Sequence, residues 1–251
     1  MNSSIRKTFF IFLGCLLILG IWQVASIFTE SIAISSPMET LKALIHLSGT
    51  PDFYKHFFIS LERVLIGILI GGLIGFILGI FAGLFEDIRN LLEPIRWVAM
   101  SIPPVTVLVV VMLWLGMGTK MVVSMAAFLL APVIYVNTVA GMQLVDKNLI
   151  NLAKVYRFSF RSKLTYLYIP ALAAPLIAGM VQIVCSGIRV VVLAEVMGSV
   201  DGIGAVVAES GNSLDTPVLF AWVLVCVLLV AFFQYLILSP VEKCLLKWKR
   251  N

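Results

Sequence analysis

The sequence predicts an all-α, polytopic membrane protein with six transmembrane helices, and three observations predict it. The composition is 61% hydrophobic and only 12% charged, whereas about a quarter of a soluble domain's residues are charged. Mean hydropathy is +1.08. Six apolar runs, at 9–28, 59–85, 97–115, 121–142, 169–197 and 217–238, each reach or approach the roughly 20 residues that cross a bilayer as a helix. No stretch is left for a sizeable soluble domain, so 1–251 is expected to form a single transmembrane domain.

The first run follows Arg6 and Lys7, as a signal peptide would. Its apolar core is longer than a signal's and no small-x-small cleavage site follows, so it reads as a retained span. The second run carries Gly67, Gly71, Gly75, Gly79 and Gly83, one every fourth residue. That spacing leaves a strip without side chains along one helix face, where a neighbouring helix can approach closely. The third run holds Pro103 and Pro104 near its inner end. Neither donates a backbone hydrogen bond, so this span must be kinked or irregular there. Irregular backbone at membrane depth is tolerated where it is buried in protein or lines a cavity. Pro132 and Pro175 interrupt the fourth and fifth runs. Arg189 and Glu195 lie in or near the outer end of the fifth, where ionisable groups usually face a bundle interior or a cavity. Six residues apart, they are poorly placed to pair on one helix.

Lysine and arginine placement orients the chain. With the N-terminus inside, the inner segments hold Arg6, Lys7, Arg89, Arg96, Lys147, Lys154, Arg157, Arg161, Lys163, Lys243, Lys247, Lys249 and Arg250, and the outer segments only Lys42, Lys55 and Lys120. The bias places both termini and the 143–168 loop in the cytoplasm. That loop is too long and too patterned for a plain connector. Leu149, Ile150, Leu152, Ala153 and Tyr156 recur at helical spacing. A second short amphipathic run follows, with Leu164, Leu167 and Tyr168 as its apolar set. Pro170 then opens the fifth span, and proline suits a helix's first turn. Two short helices held at a membrane surface suit docking of another protein. An orientation signal alone would need the charge but not the pattern.

The same loop resembles the coupling loop of permeases from binding-protein-dependent ABC importers. In that family the loop begins Glu-Ala-Ala, continues to a glycine and closes on Ile-x-Leu-Pro. Here the spacing holds, with Asn151-Leu152-Ala153, then Arg157, then Leu167-Tyr168-Ile169-Pro170. The acidic residue and the glycine are replaced, which bears on how the ATPase is contacted. Other pieces match in order: Ser60-Leu61-x-Arg63, Glu93-Pro94, Ile102-Pro103-Pro104, Trp114-Leu115-Gly116-Met117-Gly118, Asn137-Thr138-x-x-Gly141, and Glu195, Gly198 and Gly202-Ile203-Gly204. The set is similar to the subfamily serving nitrate, taurine and alkanesulfonates. The resemblance implies a type I importer permease bundle in a bacterial cytoplasmic membrane, working as a homodimer with two ATP-binding subunits and an external solute-binding protein. It implies ATP-subunit coupling through Asn151, Leu152, Ala153, Tyr156, Arg157, Arg161, Lys163, Ile169 and Pro170. Ser101, Pro103, Pro104, Trp114, Ser186, Arg189 and Glu195 are the candidates for the translocation pathway.

No G-x-x-x-x-G-K-[ST] is present, so the phosphate cradle for ATP hydrolysis must come from another subunit. ATP and Mg are therefore expected on that partner, with no cofactor in this chain. Cys15, Cys185, Cys226 and Cys244 show no C-x-x-C spacing, and His46 and His56 are not a helical metal pair. A polytopic membrane enzyme would need a catalytic cluster, and none is seen. A secondary, ion-coupled transporter would show inverted repeats and paired intramembrane acids. The transported solute is not legible, because selection rests largely on the binding protein. The resemblance allows sulfonates, nitrate, aromatic acids, pyrimidine vitamin precursors or flavins.

Overall fold

The computed structural model describes residues 3–29 and 33–238. Lys243, Lys247, Lys249, Arg250 and Cys244 fall outside the described residues. All regular structure among the described residues is helical. Five helical stretches are long and apolar enough to cross a membrane, and a sixth is added if one bent helix pair counts as a single span.

Helix α1 (Ser3–Phe28) carries apolar side chains on every face and packs little against the rest. Its main anchor is Trp22, whose indole N–H donates to the Ser35 carbonyl at 3.0 Å and whose ring stacks on Phe220. Helix α2 (Pro37–Ser48) is a short helix that hydropathy does not reveal; it lies at the outer end of the bundle, inner and outer following the orientation expected from the charge bias. It starts with a capping box, in which Ser36 and Glu39 each bond the other's backbone N–H. Helix α3 (Pro51–Leu84) begins eight residues before the predicted second span, because Pro51 fits a first helical turn.

The predicted third span is not one helix. Helix α4 (Glu86–Ser101) and helix α5 (Pro104–Leu115) meet at a 98° bend. The cause is Pro103-Pro104. Proline disfavours helical backbone at the preceding residue, and Ile102 is extended at φ −72°, ψ 126°. Twelve-residue α5 rises only about 18 Å, too little to cross the roughly 30 Å hydrocarbon core alone.

Helix α6 (Thr119–Gln143) runs parallel to α3, and these two form the centre of the bundle. The α3 glycine strip lies along their seam. A Cβ at Gly67 would sit 2.7 Å from the Ala126 Cβ, and one at Gly71 would sit 2.7 Å from the Ala127 carbonyl oxygen. At Gly75, Gly79 and Gly83 the obstacles are Ala131, Thr138 and Met142 of the same helix. Lipid chains are as apolar as leucine, so close packing rather than water exclusion holds such a pair together.

The inner element comprises α7 (Lys147–Val155), α8 (Phe160–Lys163) and a π-helical turn at Leu164–Tyr168. That turn runs straight into α9 (Ile169–Gly198), so the second amphipathic run is the foot of the fifth span rather than a separate helix. Widening the helix here accommodates Pro170, whose ring would clash with the carbonyl four residues earlier in a regular α-helix. Helix α9 packs on α6 and α3. Met121, Met125, Leu130, Ile134, Ile183 and Ile188 are among the buried side chains that join α6 and α9. On the outer side, α10 (Ile203–Asn212) and α11 (Thr216–Ala231) close a smaller core in which Trp222 stacks on Phe53 at 4.9 Å.

Candidate functional site

Three features of the bundle bear on function: the inner element, a polar knot at the outer end, and a pair of cavities between them.

In the inner element, α7 ends in a left-handed residue. Arg157 has φ +51°, and the Phe158 N–H donates back to the Ala153 carbonyl at 2.9 Å. This is the six-to-one bond of a Schellman cap, whose left-handed position normally holds glycine. The glycine of the resembling motif falls at this residue, so the backbone explains the motif and the chain departs from it with its fold kept. Asn151, Leu152, Tyr156, Arg157, Arg161 and Ile169 are exposed, and Lys163 and Pro170 are half-buried. Ala153 is only 2% exposed and packs within its own chain. The free apolar surface is instead Leu152, Tyr156 and Val155, the last 79% exposed.

The outer knot centres on Arg63, which is 1% exposed inside the bundle. Its Nε and Nη2 both donate to Thr119 Oγ1, at 3.2 and 2.8 Å. Its Nη1 reaches Glu195 Oε1 and the Asp201 carbonyl, each at 2.9 Å, and Ser199 Oγ at 3.1 Å. Nη2 also pairs with the Asp201 carboxylate. Glu195 is fully buried and accepts further bonds from Ser60 Oγ at 2.7 Å and the Gly204 N–H at 3.0 Å. Ser60 Oγ in turn accepts from the Ile203 N–H, and His56 Nδ1 accepts from the Gly202 N–H at 3.0 Å. Gly202 has φ +98°, and a Cβ there would run into the Glu195 carboxylate. The knot thus ties α3, α6, α9 and the start of α10 into one body. Burial opposes the charge of Asp201 more than any other single influence. Hydrogen bonds from Arg63 and Ser199, with the nearby positive charge of Arg63, outweigh it and hold the carboxyl below the ordinary aspartate range.

Glu195, read from the sequence as a pathway candidate, is fully buried within the protomer. Its charged partner is Arg63 on α3, and it lines neither of the two cavities beside α4. Arg189, on another side of α9, is exposed. Of the remaining pathway candidates, Pro103 and Pro104 form the exposed corner between α4 and α5, and Ser101 donates to the Trp97 carbonyl one turn back. Trp114 is 76% exposed at the far end of α5, and Ser186 is half-buried. The structure does not gather these residues into one site within the protomer. Sequence reasoning missed the knot because its two halves, around Arg63 and around Glu195, lie more than a hundred residues apart. The available signal was two opposite charges, Arg63 and Glu195, at similar depth in different spans.

Two adjoining cavities lie beside α4. An apolar slot of about 430 Å³ runs between Ile70, Ile74 and Leu78 of α3, Leu92 and Ile95 of α4, and Val123 to Tyr135 of α6. A polar recess of about 420 Å³ is lined by Arg89, Asn90, Glu93, Arg96, Tyr135 and Gln143. Arg96 and Tyr135 border both. The Tyr135 hydroxyl is buried and without a hydrogen-bond partner.

Comparison with known proteins adds five findings. The profile of the family described as binding-protein-dependent transport system inner membrane component matches residues 71–240. The taurine transport system permease protein TauC of Escherichia coli (strain K12) is 26% identical over 90% of this chain and 84% of its own length. The putative aliphatic sulfonates transport permease protein SsuC of Bacillus subtilis (strain 168) is also 26% identical, over 93% of this chain and 85% of its own. Among solved structures, the inward-facing MetNI methionine ABC transporter superposes with a TM-score of 0.62 at 15% identity, covering 73% of this chain and 93% of that one. An amino acid ABC transporter with histidines gives 0.62 at 18% identity, covering 80% and 97%.

Proposed function

The chain belongs to the family of binding-protein-dependent transport system inner membrane components, and from that premise we propose how it works. It is the permease subunit of a binding-protein-dependent ABC importer, and ATP is hydrolysed in a separate subunit. In our reading two copies pair in a bacterial cytoplasmic membrane with both termini inside. Each copy receives one ATP-binding subunit on its inner element, and that subunit holds the ATP and Mg. The observation that carries the coupling assignment is the exposed apolar and basic surface of the inner element, set between two membrane-spanning helices. Leu152, Val155 and Tyr156 supply contact area, while Arg157 and Arg161 meet acidic groups on the partner.

Closure of the ATP-binding subunits pushes the inner element. Arg161–Gly198 is one helical stretch of 38 residues, roughly 57 Å long, so the push reaches the outer knot without an intervening loop. There Glu195 locks α9 to α3 and α6, and each protomer's outer end moves as a rigid body. The cavity therefore opens between protomers, toward a binding protein that delivers a small solute. Hydrolysis resets it inward. The corner at Ser101, Pro103 and Pro104, with Trp114, Ser186 and Arg189, remains the proposed route, and Glu195 does not.

Uptake into proteoliposomes tests this reading. Solute accumulation should require this chain, the ATP-binding subunit, ATP and the binding protein together. Accumulation driven by an ion gradient without ATP would overturn it in favour of secondary transport.

A further inference from the structure

The slot and recess beside α4 are not used by the mechanism above, and together they form an amphipathic groove. We propose that the groove holds one phospholipid per protomer, with its head in the recess and one chain in the slot. Four observations carry this. The slot is apolar and lies at membrane depth, where water is not available to fill it. Its length along α6, from Val123 to Tyr135, is roughly 18 Å, close to the ~15 Å of one leaflet's hydrocarbon. The recess sits where a headgroup would, beside Gln143 at the end of α6 and Arg89 near the start of α4. Basic pockets between membrane helices bind lipid headgroups on the cytoplasmic side. At the junction of the two cavities the Tyr135 hydroxyl lacks a partner, and a phosphate or ester oxygen beside it would supply one.

The charges select the head. Arg96 Nε donates to Glu93 Oε2 at 3.1 Å, and Arg89 Nη2 donates to Glu86 Oε1 at 2.9 Å. Each arginine keeps spare N–H groups for a phosphate, while Glu93 also lines the recess and can accept from an ammonium. A zwitterionic ethanolamine head matches this mixed lining better than a glycerol head. Assignment to the inner leaflet rests on the orientation proposed above, but the presence of a lipid does not.

The test is native mass spectrometry of the permease purified with its ATP-binding subunits and exposed to equal phosphatidylethanolamine and phosphatidylglycerol. We expect one retained phosphatidylethanolamine per permease chain. Retention should fall about tenfold in Arg96→Gln, which loses a charge-assisted bond, and less in Tyr135→Phe. Ala99→Trp, on the α4 side of the slot, should displace the lipid without touching the head. No retained lipid, equal retention by Arg96→Gln, or preference for phosphatidylglycerol would overturn the proposal. So would efficient crosslinking, in a background lacking the native cysteines, between cysteines placed at Ala99 and at Leu16 of a second copy, because the slot would then seat a helix. None of these outcomes depends on transport, so the lipid proposal can fail while the importer reading stands.

Discussion

At residue 157 an arginine occupies backbone that suits glycine. A left-handed residue other than glycine is disfavoured by about 1–2 kcal/mol, partly offset because glycine would loosen the unfolded chain by about 0.4–1 kcal/mol. Arg157→Gly should therefore stabilise the α7 cap by roughly 0.5–1 kcal/mol, seen as slower hydrogen exchange at 153–158 in the isolated permease. Faster exchange would mean that the arginine side chain holds the loop itself. At the outer end the buried Arg63–Glu195 pair sets the opposite expectation. Removing Glu195 leaves the buried Arg63 with only the partly exposed Asp201 as counter-charge, so Glu195→Leu should cost up to about 3–5 kcal/mol, and Arg63→Met with Glu195→Leu should recover much of that. A double variant as unstable as the single one would show that the remaining bonds to Thr119 and Ser199 dominate. Asp201 adds a pH term. Its carboxyl titrates below the ordinary range in the folded protein, so its stabilisation is complete above the unfolded value of about 3.9 and is lost as pH falls through the depressed folded value. Below about pH 4 the melting temperature of the wild type should therefore drop toward that of Asp201→Asn, and the two should stay apart at neutral pH. A gap that does not narrow on acidification would assign the role of Asp201 to something other than its charge.

At the scale of elements, the α3–α6 seam is the tightest contact in the bundle. A leucine at Gly75 would collide with the Ala131 carbonyl and the Tyr135 N–H. Gly75→Leu should therefore cost about 1–3 kcal/mol or prevent folding altogether, read as the yield and melting profile of detergent-purified protein. An unchanged profile would place that face elsewhere. The seam was legible because glycine at every fourth residue can only leave one face bare. The spans were legible for a similar reason, since hydropathy counts residues and needs no partner. The third span was half-legible. Pro103 and Pro104 demanded irregular backbone, but the 98° turn depends on what α4 and α5 each pack against. The knot was not legible, because Arg63 and Glu195 are separated by 132 residues and only the folded bundle brings them together. The burial of Ala153 within its own chain was not legible, because helical spacing marks an apolar face without saying which side is already covered.

For the whole molecule, the outer knot and the inner element sit at opposite ends of one long helix, and under the proposed coupling that helix transmits motion between them. The ATP-binding subunit must then sense events outside through α9. The rate of ATP hydrolysis by the reconstituted importer, with and without solute-loaded binding protein, tests this most directly when Tyr156→Asp is compared with wild type. Wild type should be stimulated by the loaded binding protein. Tyr156→Asp should hydrolyse at the unstimulated rate and fail to transport, because an aspartate in an apolar contact is an uncompensated buried charge. Full stimulation and full transport by Tyr156→Asp would contradict coupling through this face.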